Sequence, residues 1–205
     1  TLKKPELLAP VGSFESIHSA IKAGADAIYF GVEQLNMRTK SIPTICLEDI
    51  EEVSNICHNH GIKCYLTLNT VVYDYDMQLA RRIISTCKEK GVDAIIASDF
   101  AVFEMCKSIG MPLHISTQSN VSNIESVAFF AQMADVVVLA RELTIKQVAY
   151  ITAEIKRRNI KGVSGKLMRI ETFIHGALCM AISGKCYLSL HEKNGSANRG
   201  ACVQN

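Results

Sequence analysis

Short runs rich in Ile, Val, Leu and Tyr alternate along the chain with longer stretches in which apolar residues recur at helical spacing. Residues 6–8, 27–30, 63–68, 94–97, 113–116, 136–139 and 169–174 read as strands; residues 14–23, 47–60, 76–90, 100–108, 124–133 and 145–159 read as helices. The strand runs are short, continuous and rich in Ile, Val and Tyr, as expected where a parallel sheet is covered on both faces. A weak repeat supports this order. GADAIYFG from Gly24, GVDAIIAS from Gly91 and MADVVVLA from Met133 each place a small or apolar residue and an Asp ahead of an apolar strand.

Strand and helix alternating in this way, without a glycine-rich nucleotide loop after the first strand, predict an α/β protein with a parallel (β/α) TIM-like barrel rather than a Rossmann sheet. Such a barrel usually takes about 250 residues, and here the seventh strand is followed only by a cysteine-rich tail. The expectation is therefore a barrel truncated before its eighth strand. Residues 1–205 would form one barrel domain, the amino-terminal part of a longer protein, with 176–205 as a cysteine-rich cluster-binding segment. Open strand edges would let copies pair, predicting a homo-oligomer.

Composition narrows the class without naming a function. The chain has 205 residues, 48% hydrophobic and 20% charged, which is ordinary for a globular domain. It has no apolar run of membrane-spanning length and no hydrophobic leader in TLKKPELLAP, so the expectation is a cytoplasmic protein without membrane insertion. A net charge of +2 does not identify a polyanionic partner, although Lys185, Lys193 and Arg199 could form a local basic patch. Eight cysteines in a chain too large to need covalent staples read as reduced thiols.

In a parallel barrel the loops after the strands build the active face. That rule nominates Asn36, Arg38, Asn69, Asp99, Gln118, Arg141, Glu142 and His175. Of these, Asp99 also reads as a helix cap before Phe100, and Arg141 could equally pair with Glu142 or Glu171. The cysteines fall into two classes. Cys57, Cys64, Cys87 and Cys106 lie within strand or helix patterns, where a thiol behaves as a small hydrophobe. Cys179, Cys186 and Cys202 lie near Gly176, Gly184 and Gly200 in irregular sequence, where thiolates suit an iron–sulfur cluster or a metal. Their spacing lacks the close Cys-x-x-Cys pair common in zinc sites. Cys46 is a weaker candidate, and His58 and His60, two apart near a helix end, read as solvated or capping residues.

Glu171, Phe173, Gly176, Ala177, Leu178, Cys179, Gly184, Cys186, Leu188 and Ser189 fit the signature of the collagenase-like peptidase family U32. ELLAPVGSFES, GADAIYFGVEQLNMR, STQSN and LARELT resemble the amino-terminal barrel of that family, so the likeness covers most of the chain. The resemblance implies one of two activities. One is the proteolysis of the family label; the other is hydroxylation of tRNA or rRNA bases, with prephenate as an implied co-substrate, or of a ubiquinone precursor. Several hydroxylases of the family carry a 4Fe-4S cluster on four cysteines. Cys179, Cys186 and Cys202 match three such ligands, and the fourth would lie outside this chain, leaving the cluster absent from the chain alone.

The hydroxylase reading uses more of the sequence, because the chain has no HExxH helix and no GxSxG elbow. It assigns His175, Arg141 and Glu142 to catalysis and Arg38, Asn69, Gln118, Lys185 and Arg199 to an RNA or a carboxylate donor. A peptidase, or a noncatalytic binding module stapled by metal, are the alternatives.

Overall fold

A computed structural model describes residues 4–32, 35, 45–176, 179 and 181–202. Seven strands, β1 (Leu8–Pro10), β2 (Ala27–Phe30), β3 (Lys63–Leu68), β4 (Ala94–Ala97), β5 (Leu113–Ile115), β6 (Val136–Val138) and β7 (Arg169–Glu171), pair in sequence order. Every pairing is parallel. Between them run α1 (Phe14–Lys22), α2 (Ile50–Asn59), α3 (Met77–Glu89), α4 (Phe100–Ile109), α5 (Ile124–Phe130) and α6 (Ile145–Arg157). The sheet is the wall of an incomplete TIM-like barrel, with β1 and β7 at its margins.

Several element boundaries shift by one to a few residues from the pattern reading, and two of the strand shifts have a visible cause. The first strand starts at Leu8 rather than Glu6, because the Leu7 N–H is taken by the Asp26 carboxylate at 2.8 Å and the ladder opens with Leu8 beside Ala27. The last ends at Glu171 rather than Ile174, because residues 172–176 leave the sheet and are exposed. Apolar runs mark where a strand can go; the neighbour's hydrogen bonds decide where it stops.

The helices are held by local chemistry and by one large core. Ser13 caps α1 and Thr144 caps α6, each in a reciprocal capping box; losing such a cap typically costs about 1 kcal/mol. Asp99 caps α4 through the Ala101 N–H and also accepts from the Val72 N–H. The outward side chains of the strands, among them Ile28, Leu66, Ile95, Ile115 and Val137, are buried against the helices. Cys57, Cys64, Cys87 and Cys106 belong to this layer. Burial pushes the Cys106 thiol up to about 12 and Cys87 higher, so both stay protonated.

Two of the three aspartates of the repeat act as strand-entry latches, whereas Asp135 accepts from the N–H and hydroxyl of Ser164. Asp26, just before β2, accepts the Leu7 N–H of the adjoining segment at 2.8 Å, and Asp93, just before β4, accepts the Cys64 N–H of β3 at 2.8 Å. Each carboxylate satisfies a backbone donor at the sheet's lower rim, which explains why the Asp recurs.

The inner face is more polar than continuous apolar runs suggest. Ala27, Tyr65, Ala94 and Ile96 form a small inner cluster with Leu8 and Tyr29. Beside it, Glu6 accepts from Lys63 at 2.6 Å and from the Tyr65 hydroxyl at 2.7 Å, and the rings of Tyr65 and His114 lie 4.6 Å apart. Burial keeps His114 neutral, lowering its pKa to about 4.

Candidate functional site

The ends of the strands from which the helices depart are covered by the cysteine-bearing segment. Residues 181–202 fold as a turn at Ser183 and Gly184, a short helix α7 (Leu188–Lys193) ending at left-handed Asn194, and a single 3-10 turn at Ala197–Arg199. Polar contacts fasten this segment to the loops after β3, β5 and β6. Ser183 is its buried hub: its N–H donates to Glu142 at 3.0 Å, and its hydroxyl lies 3.5 Å from both Thr117 Oγ1 and Arg141 Nε. Burial opposes ionisation of Glu142, but the bonds from Ser183 outweigh it and hold the carboxyl below its usual range.

Gly184 is next, with φ +75, and its N–H donates to Gln118 Oε1 at 2.9 Å. A Cβ here would land on the Gln118 carbonyl oxygen, so only glycine permits this close approach. Farther on, Val71 N–H donates to the Asn198 carbonyl at 2.9 Å, and Asn198 Nδ2 reaches the Cys186 carbonyl at 3.4 Å. Arg199 locks the end down. It donates to the Val71 carbonyl and to Asp76 Oδ2, both at 2.6 Å, and to the Tyr75 hydroxyl at 2.9 Å, with its guanidinium 4.3 Å from the Tyr73 ring centre.

A cavity of ≈ 130 Å³ remains beneath this cover, lined by Asn69, Ser98, Asp99, Gln118, Gly184 and Asn198. The structure thus brings together Asn69, Gln118, Arg141 and Glu142 with the cysteine segment at one end of the barrel. Cys186 and Cys202 are half-buried and Cys179 is exposed. His175 and Lys185 are exposed on the same segment. Arg199 is anchored to Asp76 rather than pointing at open space, and Arg141 lies 6.0 Å from the Phe173 ring rather than in an ion pair with Glu142 or Glu171. Arg38 and Asn36 lie outside the described residues.

Pattern reasoning overlooked Glu171 as a site candidate. It ends β7 on the same side of the strand as Arg169, since Ile170 between them joins the outer core. Burial, reinforced by the charge of Glu6 and opposed by Arg169, raises its carboxyl to about 7. A carboxylate two residues from Arg169, on the same side of a strand run, was the available signal. Ser183 gave none, because its importance comes entirely from partners distant in sequence.

The donor set of the segment fits an iron–sulfur group: three thiols, none sequestered in the helix-packed core, on turns where Gly184 and Gly200 adopt positive φ and let backbone approach closely. Comparison with known proteins then places the chain, since residues 12–205 match the sequence model described as Peptidase family U32. The chain belongs to peptidase family U32.

Among its relatives, a protein named "Collagenase" from Porphyromonas gingivalis (strain ATCC BAA-308 / W83) is 55% identical over 199 residues, covering 97% of this chain and 48% of the relative. "tRNA hydroxylation protein P1" of Bacillus subtilis (strain 168) is 33% identical over 205 residues, covering 98% and 46%. "23S rRNA 5-hydroxycytidine C2501 synthase" of Escherichia coli (strain K12) is 36% identical over 200 residues, covering 97% and 28%. The chain spans about half the length of the first two and less of the third. Among solved structures, "The Structure of the U32 Peptidase Mk0906" superposes with a TM-score of 0.56 at 14% identity, over 75% of this chain and 67% of that one. At that identity the likeness establishes the barrel fold. No helix among the described residues is long and apolar enough to cross a membrane.

Proposed function

We propose that this chain is the barrel portion of an iron–sulfur-dependent hydroxylase that modifies a base of tRNA or rRNA. The observation that carries the reading is the seating of the thiol-bearing segment over the active end of the barrel, with Gly184 pressed against Gln118 above a polar cavity. Relatives named for tRNA hydroxylation and for rRNA hydroxycytidine synthesis align along nearly all of this chain.

In this reading Cys179, Cys186 and Cys202 hold three corners of a 4Fe-4S cluster, with a fourth thiolate from outside the segment. Such a cluster supplies electron transfer when bound. The remaining roles belong to the protein. Asn69 and Gln118 present amides to the edge of a base, while Arg141 and Lys185 offer charge-assisted hydrogen bonds to a phosphate or to the carboxylates of a donor such as prephenate. Glu171, its carboxyl raised to about 7, holds or accepts a proton there, and exposed His175 is a further catalytic candidate at the same end of the barrel. Arg199 serves indirectly, by fixing the segment. Pairing of copies along the β1 and β7 margins belongs to the same proposal.

The second reading is proteolysis, favoured by the 55% identical relative named "Collagenase". The two separate in one experiment. RNA nucleosides are compared by mass spectrometry between cells with and without the gene, complemented by wild-type or Cys179→Ser protein, beside iron analysis and a peptide-cleavage assay on anaerobically purified protein. The hydroxylase reading expects a hydroxylated nucleoside that disappears with the gene and is not restored by Cys179→Ser. It also expects iron to be lost on replacing Cys179, Cys186 or Cys202 but not Cys87. Unchanged RNA together with peptide cleavage that survives Cys179→Ser would favour the protease.

A further inference from the structure

A second group of potential metal ligands lies at the opposite end of the barrel, on its helix-covered face. Cys57 and His58 occupy successive positions near the end of α2, the first facing the core and the second facing out. A turn through left-handed Gly61 feeds β3, whose Cys64 points back toward α2, and a turn through Gly91, also left-handed, delivers Asp93 at the entry to β4. The imidazole, the Cys64 thiol and the Asp93 carboxylate therefore converge, each contributing one ligand atom, all within 4.8 Å of one another. His58 Nε2 is 3.1 Å from Asp93 Oδ2, and the Cys57 and Cys64 thiols are hydrogen-bonded to each other.

The equivalent latch at Asp26 provides an internal comparison. There the carboxylate again takes a backbone N–H from the adjoining segment, that of Leu7, but its second partner is the ammonium of Lys4 at 3.1 Å, and among the described residues no thiol or imidazole pairs with it. Latching a strand therefore does not require the sulfur and nitrogen donors gathered at Asp93. We propose that His58, Cys64 and Asp93 bind a single Zn²⁺, tying the end of α2 to the entries of β3 and β4. One sulfur, one nitrogen and one oxygen are a ligand set zinc accepts, and thiolate plus carboxylate balance its charge. The ion replaces the proton between His58 and Asp93 and that of the Cys64 thiol. Cys57, which accepts from the Cys64 thiol here, would turn to donate to the ligating sulfur once Cys64 gives up its proton to the ion, as outer partners of metal sites commonly do. The side chains of His58 and Asp93 are 44% and 31% exposed, which leaves an entry path and a fourth position for water.

This site is independent of the cysteine segment, and the test keeps it so. In the full chain carrying Cys179→Ser, Cys186→Ser and Cys202→Ser, Co²⁺ is titrated as a spectroscopic stand-in and then displaced with Zn²⁺. The expected result is one ion per chain, a sulfur-to-cobalt band in the near ultraviolet, and loss of that band with Cys64→Ser. His58→Gln, at a half-exposed position that does not threaten folding, should weaken binding by about tenfold or more, whereas Cys87→Ser should leave it unchanged. Absence of a sulfur-to-cobalt band in a chain whose circular dichroism is native overturns the proposal. So does a band that is indifferent to both Cys64→Ser and His58→Gln.

Discussion

Glu171→Gln isolates what it costs the fold to keep a carboxyl inside the barrel. Burial and the charge of Glu6 raise the native pKa to about 7 from an ordinary 4.5, so between those two values the native state retains a proton that the unfolded chain releases. Stability must then fall as pH rises through that window and level off above it. A difference of about 2.5 pH units corresponds to a loss on the order of 3 kcal/mol. Gln is neutral throughout and near-isosteric, so the variant should match wild type near pH 4.5 and exceed it by roughly that amount at pH 8. The wild-type curve alone would hide the effect. His114, held neutral with a pKa near 4 against an ordinary 6.5, contributes the opposite slope between those values, because the unfolded chain binds the proton that the native state refuses. Urea unfolding of both proteins from pH 4.5 to 8, read as the difference between them, cancels the His114 contribution. A difference that stays constant across the range would refute the argument and mean that Glu171 ionises freely in the native state.

Three further outcomes follow from the docked segment and the core. Gly184→Ala, which drives a methyl group into the Gln118 carbonyl and strains a positive φ, should detach residues 181–202; limited proteolysis within that stretch should accelerate several-fold while the barrel's unfolding midpoint moves little. Arg199→Ala leaves Asp76 with only the Tyr73 N–H and no charge partner, and should cost about 2–3 kcal/mol at pH 7, below the full range for a buried pair because Arg199 is 23% exposed at its side chain. Burial tends to raise the Asp76 pKa, but Arg199 outweighs it and holds it below 3.8, so this stabilisation should be present above that value and vanish as pH falls through the native pKa; a urea series at pH 7 and below pH 3 checks both statements. Under reducing conditions, thiol alkylation followed by peptide mass spectrometry should modify exposed Cys179 first and reach Cys87 and Cys106 only after denaturant is added.

The order and type of the elements were written in the sequence because they follow from local patterns. β2, β3 and β4 begin and end where their apolar runs do, and Asp99 caps α4 as its position before Phe100 suggested. Runs buried on both faces, separated by helix-length amphipathic stretches, leave few alternatives to a parallel sheet in chain order. The repeat Asp was also visible in the sequence, although its work was not; its partners are backbone donors of adjoining segments of the same chain, such as Leu7 for Asp26 and Cys64 for Asp93.

The tertiary structure alone decided which polar residues meet. Arg199 looked like a surface cation and is instead clamped between Asp76 and Tyr73, 123 or more residues away in the chain. Ser183 and Gly184 gain their roles from Thr117, Gln118 and Glu142, and no local pattern encodes a hydrogen bond across such separations. Glu171 and His114 sit in strand runs whose sequence does not say which face is dry, and only closing the sheet toward a barrel puts them in a poorly solvated interior where their proton affinities shift in opposite senses. Hydrophobic periodicity records which side chains avoid water. The pairing of the remaining polar groups depends on directional contacts that exist only once the strands stand side by side.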